Sequence, residues 1–214
     1  MICLCWNCQG LGNPRAVRAL RELIHSRKPD VIFLIETLVH VNKIEEIRIH
    51  IGFADAFVVD REGRGGGIAF LWKAPNMCSL LDYSNNHINV QVCDDEKGSR
   101  RLTGFYGYPD RSRRRDSWNL LRAICASSRL PWCCIGEFNG MLSPMDKRGR
   151  LDHPNWLLAG FRETISDCHL HEISIIGSCF TWERGRGAEA WVQERIDRAF
   201  ASGEWLGLLL DAKL

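Results

Sequence analysis

The sequence predicts an α/β protein with two β-sheets and helices outside them. Strand-type runs alternate with amphipathic helical segments towards both ends of the chain, and a series of short β segments fills the middle. No internal repeat or low-complexity linker divides the 214 residues. We therefore expect a single domain that spans residues 1–214. A purely parallel sheet would not contain so many consecutive β segments, so mixed sheets are expected.

The first part of the chain shows two strand–helix pairs. The apolar run ICLCW at residues 2–6 predicts a strand, and Asn13 followed by proline predicts the start of a helix that ends near Arg27. Residues 30–37, DVIFLIET, predict a buried strand. Isoleucines at helical spacing predict a second helix over 42–52, which ends in a glycine.

The middle and the end of the chain contain shorter elements. Five β candidates are separated by turn-forming residues: AFVVD, GIAFLW, CSLLDY, HINVQVC and RRLTGFYGY. Amphipathic helices are predicted at 113–128 and 153–168, on either side of a buried strand at 132–140. SCFTWERG predicts a strand, and WVQERIDRAF predicts a strand or turn that leads into a helix.

The composition is that of a globular protein, with 45% apolar and 25% charged residues. No segment has the roughly 18 apolar residues of a membrane span, and no secretion signal is recognisable, so we expect no membrane partner. Ten cysteines then predict free thiols in a reducing, intracellular compartment, without a disulfide-linked partner. Cys3 and Cys5 fall on one strand face and are expected to pack. A zinc site formed with Cys8 is the alternative.

Charge is unevenly distributed, although the net charge is only +2. Between Lys97 and Arg122 there are eight basic residues and two acidic ones. A segment of this kind binds a nucleic-acid backbone or forms a solvated helix face, and the sequence leaves both interpretations open. The candidates for contact with nucleic acid are Arg111, Arg113, Arg114 and Arg115.

Polar side chains follow several apolar strands at the point where each strand ends. They are Asn7, Glu36, Tyr106, Glu137 and Asn139. Binding clefts in α/β proteins lie outside the carboxyl ends of strands, so we expect these residues to share a rim. Strand ends expose polar residues in every protein, and only the joint set points to a site.

The residue types suit hydrolysis of a phosphate ester. Glu36 is a carboxylate of the kind that holds Mg²⁺, which binds one or two protein carboxylates and retains several waters. Glu137 is placed to orient or deprotonate a water molecule. Asn7, Asn139 and Tyr106 are suited to bind phosphoryl oxygens as negative charge develops.

Five motifs carry a family resemblance: WNCQGLG, PDVIFLIET, GFYGYP, IGEFN and ERIDRA. In this order they resemble the endonuclease/exonuclease/phosphatase superfamily, which has the DNase I-like fold. The sequence between them, including GNPRAVRALRELI, RRRDSWNLLR and FTWERGRG, is most similar to the endonuclease domains of plant non-LTR (LINE-type) retrotransposons. The resemblance covers nearly the whole chain.

The resemblance implies a four-layer α/β sandwich and cleavage of DNA that depends on Mg²⁺ or Mn²⁺. It also implies a nuclear location and a reverse transcriptase domain in the full-length element. Glu36 matches the metal-binding glutamate of the family, and Asn7 matches the asparagine at the end of the first strand. Tyr106 matches the tyrosine that contacts the phosphate, Asn139 the asparagine of the Gly-Asp-x-Asn motif, and Asp197 the aspartate that orients a catalytic histidine.

Two departures from the family pattern lead us to expect impaired catalysis. Glu137 stands where the family has aspartate, and a displacement of about 1 Å in a catalytic group can cost on the order of a hundredfold in rate. The sequence also stops before the family's Ser-Asp-His motif, and His153, His169 and His171 are expected to be structural. The alternatives are an inactive transposon-derived fragment or nucleic-acid-binding remnant, and a phosphatase of the same fold.

Overall fold

The computed structural model describes residues 1–60, 63, 66–94 and 98–208. The chain forms two compact units, Met1–Phe105 and Tyr106–Leu214. The helices are α1 Pro14–Arg27, α2 Val41–Ile51, α3 Arg114–Ala126, α4 Asn155–Asp167 and α5 Gly203–Leu208. Lys97, where the predicted basic segment begins, lies outside the described residues, as does part of the predicted DDEKG turn.

The first unit contains two sheets. The strands are β1 Cys3–Asn7, β2 Val31–Ile35, β3 Asp55–Val59, β4 Ile68–Trp72, β5 Cys78–Ser84, β6 His87–Val92 and β7 Arg100–Tyr106, whose last residue belongs to the second unit. One sheet has the strand order β1-β2-β4-β3, in which β1 and β2 are parallel and the other pairs antiparallel. The other sheet is an antiparallel run of β5, β6 and β7.

Strand β2 is buried on both faces, as its uninterrupted apolar sequence predicts. Ile32 and Leu34 pack in a cluster that includes Leu20 of α1 and the buried isoleucines of α2. Phe33 faces the other sheet, where a Cβ on Gly104 of β7 would lie 2.3 Å from the Phe33 ring. The first unit therefore consists of a helical layer and two sheets packed face to face.

The predicted helix boundaries of the first unit are confirmed by their caps. Asn13 Oδ1 accepts a hydrogen bond of 2.9 Å from Arg15 N at the start of α1. Gly52 ends α2 in the left-handed conformation, with φ +74°. Among the predicted inward isoleucines of α2, Ile44 and Ile47 are buried. Local chemistry therefore determines where both helices begin or end.

The second unit contains an antiparallel run of β8, β13 and β10, and a small sheet with the order β11-β12-β9. The strands are β8 Trp132–Glu137, β9 Lys147–Arg148, β10 Leu170–Glu172, β11 Trp182–Arg184, β12 Val192–Glu194 and β13 Asp197–Ser202. The WVQERIDRAF segment forms β12 and most of β13, which pair with β9 and β8. The predicted strand is therefore confirmed, and the helix that follows it begins beyond the segment, at Gly203.

Helices α3 and α4 pack together in the second unit through aromatic and glycine contacts. The ring of Trp118 lies against Gly160, where an added Cβ would come within 2.3 Å of the indole. Phe161 of α4 packs on Phe138 and on Phe200 of β13, with ring centroids 6.0 Å from each. These contacts place the chain that follows β8 beneath α4. No helix in the described part of the chain combines the length and the apolar character needed to cross a bilayer.

Candidate active site

Asn7 and Glu36 lie at the same edge of the first sheet. In the parallel register of β1 and β2, Asn7 is opposite Ile35, and Glu36 is the next residue. The loops that follow are joined by backbone hydrogen bonds from Cys8 N to Ile35 O (3.0 Å) and from Gly10 N to Glu36 O (2.9 Å). Both polar side chains are half-buried. The structure therefore brings these two predicted site residues together.

The backbone of Glu36 adopts the left-handed conformation, with φ +54°. This conformation costs a non-glycine residue roughly 1–2 kcal/mol and is enriched at functional sites. The turn is held by hydrogen bonds from Gly10 N to Glu36 O and from Thr37 N to Gly67 O (3.0 Å). Glu36 is thus fixed by its surroundings in a conformation that glycine would adopt at lower cost.

The cysteines near Asn7 are packed thiols. Burial raises the pKa of Cys3 to about 12 and that of Cys8 to about 11, which disfavours the thiolate that binds zinc. Cys8 Sγ donates instead to Ile35 O, 3.1 Å away. Among the residues that the structure describes, no group of three or more His, Cys, Asp or Glu side chains is placed to hold a metal ion.

The donors at this edge suit a different metal. A half-buried carboxylate beside a carboxamide fits Mg²⁺ or Mn²⁺, which take oxygen ligands and need only one or two protein carboxylates. Glu36 would supply that carboxylate and Asn7 an amide oxygen, which already accepts a hydrogen bond of 3.2 Å from Gln9 N. The bound metal would polarise a phosphoryl oxygen.

Glu137 and Asn139 form a buried pair at the end of β8. Asn139 Nδ2 donates to Glu137 Oε1 at 2.7 Å and to Gly107 O at 3.0 Å. The exposed fractions are 6% for Glu137 and 8% for Asn139. Both contacts join the Asn139 amide to acceptors within the protein and hold it against the Glu137 carboxylate at the end of β8. The predicted contact of Asn139 with a phosphate stays a prediction.

Tyr106 and Gly107 join the Glu137 segment at the beginning of the second unit. Gly107 N donates to Glu137 O at 2.8 Å, and a Cβ on Gly107 would lie only 2.5 Å from Phe138 O. This close approach requires glycine. Tyr106 is buried, with 8% exposure. The GFYGYP motif therefore places Tyr106 one residue from a backbone contact with the Glu137 strand.

Asp197 is directly opposite Glu137 in the antiparallel register of β13 and β8. Burial raises the pKa of the Asp197 carboxyl above its ordinary value, although a hydrogen bond with Thr181 acts in the opposite direction. Thr181 Oγ1 also accepts from Asp197 N at 3.1 Å. The second unit thus brings Glu137, Asn139 and Asp197 to one end of its strands.

The four predicted DNA-binding arginines differ in their surroundings. Arg111 and Arg115 are exposed. Arg113 is exposed but pairs with Asp116 at 3.0 Å and stacks on a tyrosine ring. Arg114 is buried and donates to Tyr108 O, so its expected role as a surface contact does not agree with its position. Burial lowers the pKa of Arg114, and the carboxylates of Glu194 and Glu137 act in the opposite direction.

Sequence reasoning missed the buried cation Arg198, which anchors the loop after Asn139. Its guanidinium pairs with Asp146 Oδ2 at 2.6 Å and also with Glu172. The same Asp146 oxygen accepts from the backbone amides of Leu142 and Ser143 at 2.8 and 2.9 Å. The signal in the sequence is the second arginine of the RIDR motif, which directly follows Asp197.

The chain matches the model of the endonuclease/exonuclease/phosphatase family over residues 4–208. The chain belongs to this family. The family prediction made from the five motifs is therefore confirmed, and a family of phosphoester hydrolases supports phosphodiester hydrolysis as the general activity. No curated protein sequence matches the chain significantly.

Solved structures of the family share the fold at low sequence identity. The endonuclease domain of TRAS1, a telomere-specific non-LTR retrotransposon, has a TM-score of 0.70 and 16% identity, covering 96% of this chain and 86% of that domain. A 3′ phosphatase from Neisseria, solved with a product DNA hairpin, has a TM-score of 0.67 and 16% identity, with 94% and 86% covered. An AP endonuclease from Archaeoglobus fulgidus has a TM-score of 0.67 and 15% identity, with 94% and 87% covered.

These similarities confirm the predicted DNase I-like α/β sandwich. They also agree with the predicted retrotransposon endonuclease resemblance within the family. The predicted roles of individual site residues, the plant origin and the single-domain organisation stay predictions.

Proposed function

We propose that the chain is a divalent-metal-dependent DNA endonuclease of the non-LTR retrotransposon type, which nicks its target. The observation that carries the proposal is the buried Glu137 carboxylate, held by Asn139 at 2.7 Å at the end of β8 in a chain of the phosphoesterase family. The similarity to a retrotransposon endonuclease domain and to an enzyme solved with DNA supports DNA as the substrate.

The proposed reaction assigns a distinct chemical role to each residue of the predicted site. Glu36, with Asn7 beside it, would hold Mg²⁺ or Mn²⁺. Glu137 orients or deprotonates the attacking water, and Asn139 keeps the Glu137 carboxylate in place. Tyr106 contacts the phosphate. Asp197 corresponds to the aspartate that orients a catalytic histidine in the family. Glu137 is one methylene longer than the aspartate of the family motif, so we expect slower nicking than in relatives that carry aspartate.

DNA would be held in part by Arg111 and Arg115, the two exposed arginines of the segment that carry no carboxylate partner among the described residues. Arg113 is already paired with Asp116. Neutralising Arg111 and Arg115 together should reduce the slope of log affinity against log salt by up to about two, because each phosphate contact contributes nearly one. A slope equal to that of wild type would assign both side chains to a solvated helix face.

The decisive experiment is nicking of supercoiled plasmid by the purified protein with Mg²⁺, with Mn²⁺ and with EDTA. Activity is expected with either metal and should be lost in EDTA. Glu36→Gln and Glu137→Gln should each abolish nicking, since each removes a carboxylate without changing the size of the side chain. Glu46→Gln, on the exposed face of α2, is the matched control and should behave as wild type.

Two results would overturn the proposal. Nicking that survives Glu36→Gln would show that the activity does not use the proposed metal ligand. A well-folded protein that binds DNA but nicks it with neither metal would establish the alternative of an inactive, transposon-derived nucleic-acid-binding protein.

A second candidate activity is removal of a 3′ phosphate, which is favoured by the fold shared with the Neisseria 3′ phosphatase. The two activities are distinguished by assaying the protein on an oligonucleotide with a 3′ phosphate and on the plasmid. Release of inorganic phosphate without nicking would favour the phosphatase.

If the protein is an endonuclease, it would act together with the reverse transcriptase of a LINE-type element.

A further inference from the structure

Two cysteine thiols meet where helices α3 and α4 end. Cys125 is the last residue but one of α3, and Cys168 directly follows α4. Cys125 Sγ donates a hydrogen bond to Cys168 O at 3.7 Å, and Cys168 Sγ donates to Leu121 O at 3.8 Å. Leu121 lies about one turn before Cys125 on the same helix. Each thiol therefore contacts the backbone beside the other, although 43 residues separate the two cysteines in the sequence.

The surroundings hold these two helix ends together. Arg122 Nε of α3 donates to Asp167 Oδ2 at 2.7 Å, and Asp167 is the residue before Cys168. Further along the same helices, the Trp118 ring lies against Gly160, where an added Cβ would come within 2.3 Å of the indole. The two thiols also interact directly with each other. The packing of α3 on α4 therefore keeps both sulfur atoms in one interface.

The two thiols differ in their access to solvent. Cys125 is half-buried, whereas Cys168 is only 4% exposed. Burial raises the pKa of the Cys168 thiol, and the neighbouring Cys125 raises it further. A buried thiol with a raised pKa reacts poorly with reagents in solution. Cys125 is therefore the member of the pair that such a reagent reaches, and Cys168 is placed to react with Cys125.

An accessible thiol beside a second thiol is the arrangement found in cysteines that respond to oxidants. Oxidation of the accessible sulfur gives a sulfenic acid, which condenses with the neighbouring thiol instead of being oxidised further. A thiol reductant reverses the resulting disulfide by exchange. Cys125 and Cys168 supply both members of such a pair within the second unit.

We propose that Cys125 and Cys168 are a site of reversible oxidation by hydroperoxides, which join them in a disulfide that stabilises the second unit. The Cys125 thiolate attacks a peroxide oxygen, so that an S–O bond forms, the O–O bond breaks and hydroxide leaves. The Cys168 sulfur then attacks the Cys125 sulfur. An S–S bond replaces the S–O bond, and the thiol proton of Cys168 leaves with the hydroxyl group as water. The two thiols lose two electrons in all, and the hydroperoxide gains them.

The disulfide would close a long loop that contains β8 and α4, and with them Glu137 and Asn139. Closing a loop of this length restricts the unfolded chain and so favours the folded state. The Tm of the oxidised protein should rise by roughly 5–10 °C. This response goes beyond the proposed nuclease reaction and does not depend on it.

The test exposes the purified, reduced wild-type chain to hydrogen peroxide, alkylates the remaining thiols and maps the tryptic peptides by mass spectrometry. Cys125 lies in peptide 123–129, and Cys168 lies in peptide 163–184. The two peptides should be recovered joined, and dithiothreitol should separate them. Because the longer peptide also contains Cys179, fragmentation of the joined pair assigns the bond. Cys179→Ser, which removes an exposed thiol outside the pair, is the matched control and should give the same product.

Dimedone, which traps sulfenic acids, tests the order of the steps. With peroxide and dimedone together, Cys125 should be labelled more strongly in Cys168→Ala than in wild type, because the thiol that consumes the sulfenic acid is gone. Cys125→Ser should give no joined peptides and should leave Cys168 as a thiol. The peptide map of the wild-type chain decides the proposal even where Cys168→Ala does not fold.

Thermal melts followed by circular dichroism measure the effect on stability. Oxidised wild-type protein should melt roughly 5–10 °C above the reduced protein. Cys125→Ser treated with the same peroxide should keep its Tm, which separates the disulfide from general oxidative damage. Equal Tm values for oxidised and reduced wild type would refute the stabilising role.

Three results of the peptide map would overturn the proposal. One is oxidation of Cys125 beyond the sulfenic acid without a bond to Cys168. Another is a bond between Cys78 and Cys93 in its place, since the charge of Cys93 also raises the pKa of Cys78. The third is an equal yield of the Cys125–Cys168 bond in concentrated urea, which would show that the fold does not direct the reaction.

Discussion

The substitution Asn139→Asp tests the contact on which the candidate site depends. It preserves the shape of the side chain but replaces the amide that donates to Glu137 with a second carboxylate. The Asn139 Nδ2 to Glu137 Oε1 distance is 2.7 Å, and both residues are buried. Two negative charges at that distance repel each other by about 6 kcal/mol at an effective dielectric constant of about 20.

The pair would avoid this repulsion by retaining a proton, which raises the pKa of one carboxyl in the folded variant. The folded state then binds more protons than the unfolded state, so stability must fall as the pH rises. The fall should be about 1.4 kcal/mol per pH unit between the ordinary carboxyl range and the raised pKa. Below about pH 4 only the loss of the hydrogen bonds remains, at about 1–3 kcal/mol for each buried partner left unpaired.

Urea unfolding followed by circular dichroism at about pH 4, 6 and 8 measures this slope. Asn139→Gly is the control, because it removes the side chain without adding charge and glycine suits the backbone φ of +52°. The variant curves for Asp and Gly should diverge as the pH rises. If they run parallel at every pH, Asn139 does not contact the Glu137 carboxylate and the proposed positioning role is wrong.

Three further predictions concern packing and charge in the second unit. Gly160→Ala should lower the free energy of unfolding by about 1–3 kcal/mol in thermal melts, because the new Cβ would lie 2.3 Å from the Trp118 ring. The control Gly207→Ala places its Cβ in open space and should be neutral or stabilising. Arg198→Met should cost about 3–5 kcal/mol in urea unfolding, because it leaves the largely buried Asp146 carboxylate without its cation, whereas Glu172 keeps its pair with Arg195; a loss below about 1 kcal/mol would contradict this. Asp197→Asn should gain stability relative to wild type as the pH rises from about 4 to 7, because burial raises the pKa of this carboxyl and its ionisation then opposes folding. If the difference in free energy of unfolding between the two proteins does not vary with pH, the pKa of Asp197 is not raised.

The elements that could be predicted from the sequence are those determined by local chemistry. Asn13 followed by proline and Gly52 each contain the physical reason for a helix boundary, and the uninterrupted apolar run of β2 requires burial on both faces. Polar residues directly after such runs must lie at a sheet edge. The position of Glu36 beside Asn7 follows from these facts once β1 and β2 are parallel neighbours.

The parts that could not be predicted depend on pairs of residues far apart in the sequence. Arg198 contacts a carboxylate 52 residues earlier, and Lys147 reaches Glu194 through the pairing of two very short strands. A strand of two residues, such as β9, has too few positions to show a period. The burial of Arg114 could not be predicted for a related reason, since nothing in the local sequence distinguishes it from its exposed arginine neighbours.

Two residues of the candidate site have an uncommon backbone conformation. Glu36 and Asn139 each follow a buried strand closely and have positive φ, at +54° and +52°. Asparagine tolerates this conformation comparatively well, but glutamate does not, and glycine would relieve the cost at either position. Positive φ alone does not mark a functional residue, because Leu38 has φ +52° two residues further on. The combination at position 36 is more specific, since there the conformation occurs at a half-buried carboxylate beside Asn7, and the proposed metal site would give a reason for glutamate at this edge of the sheet.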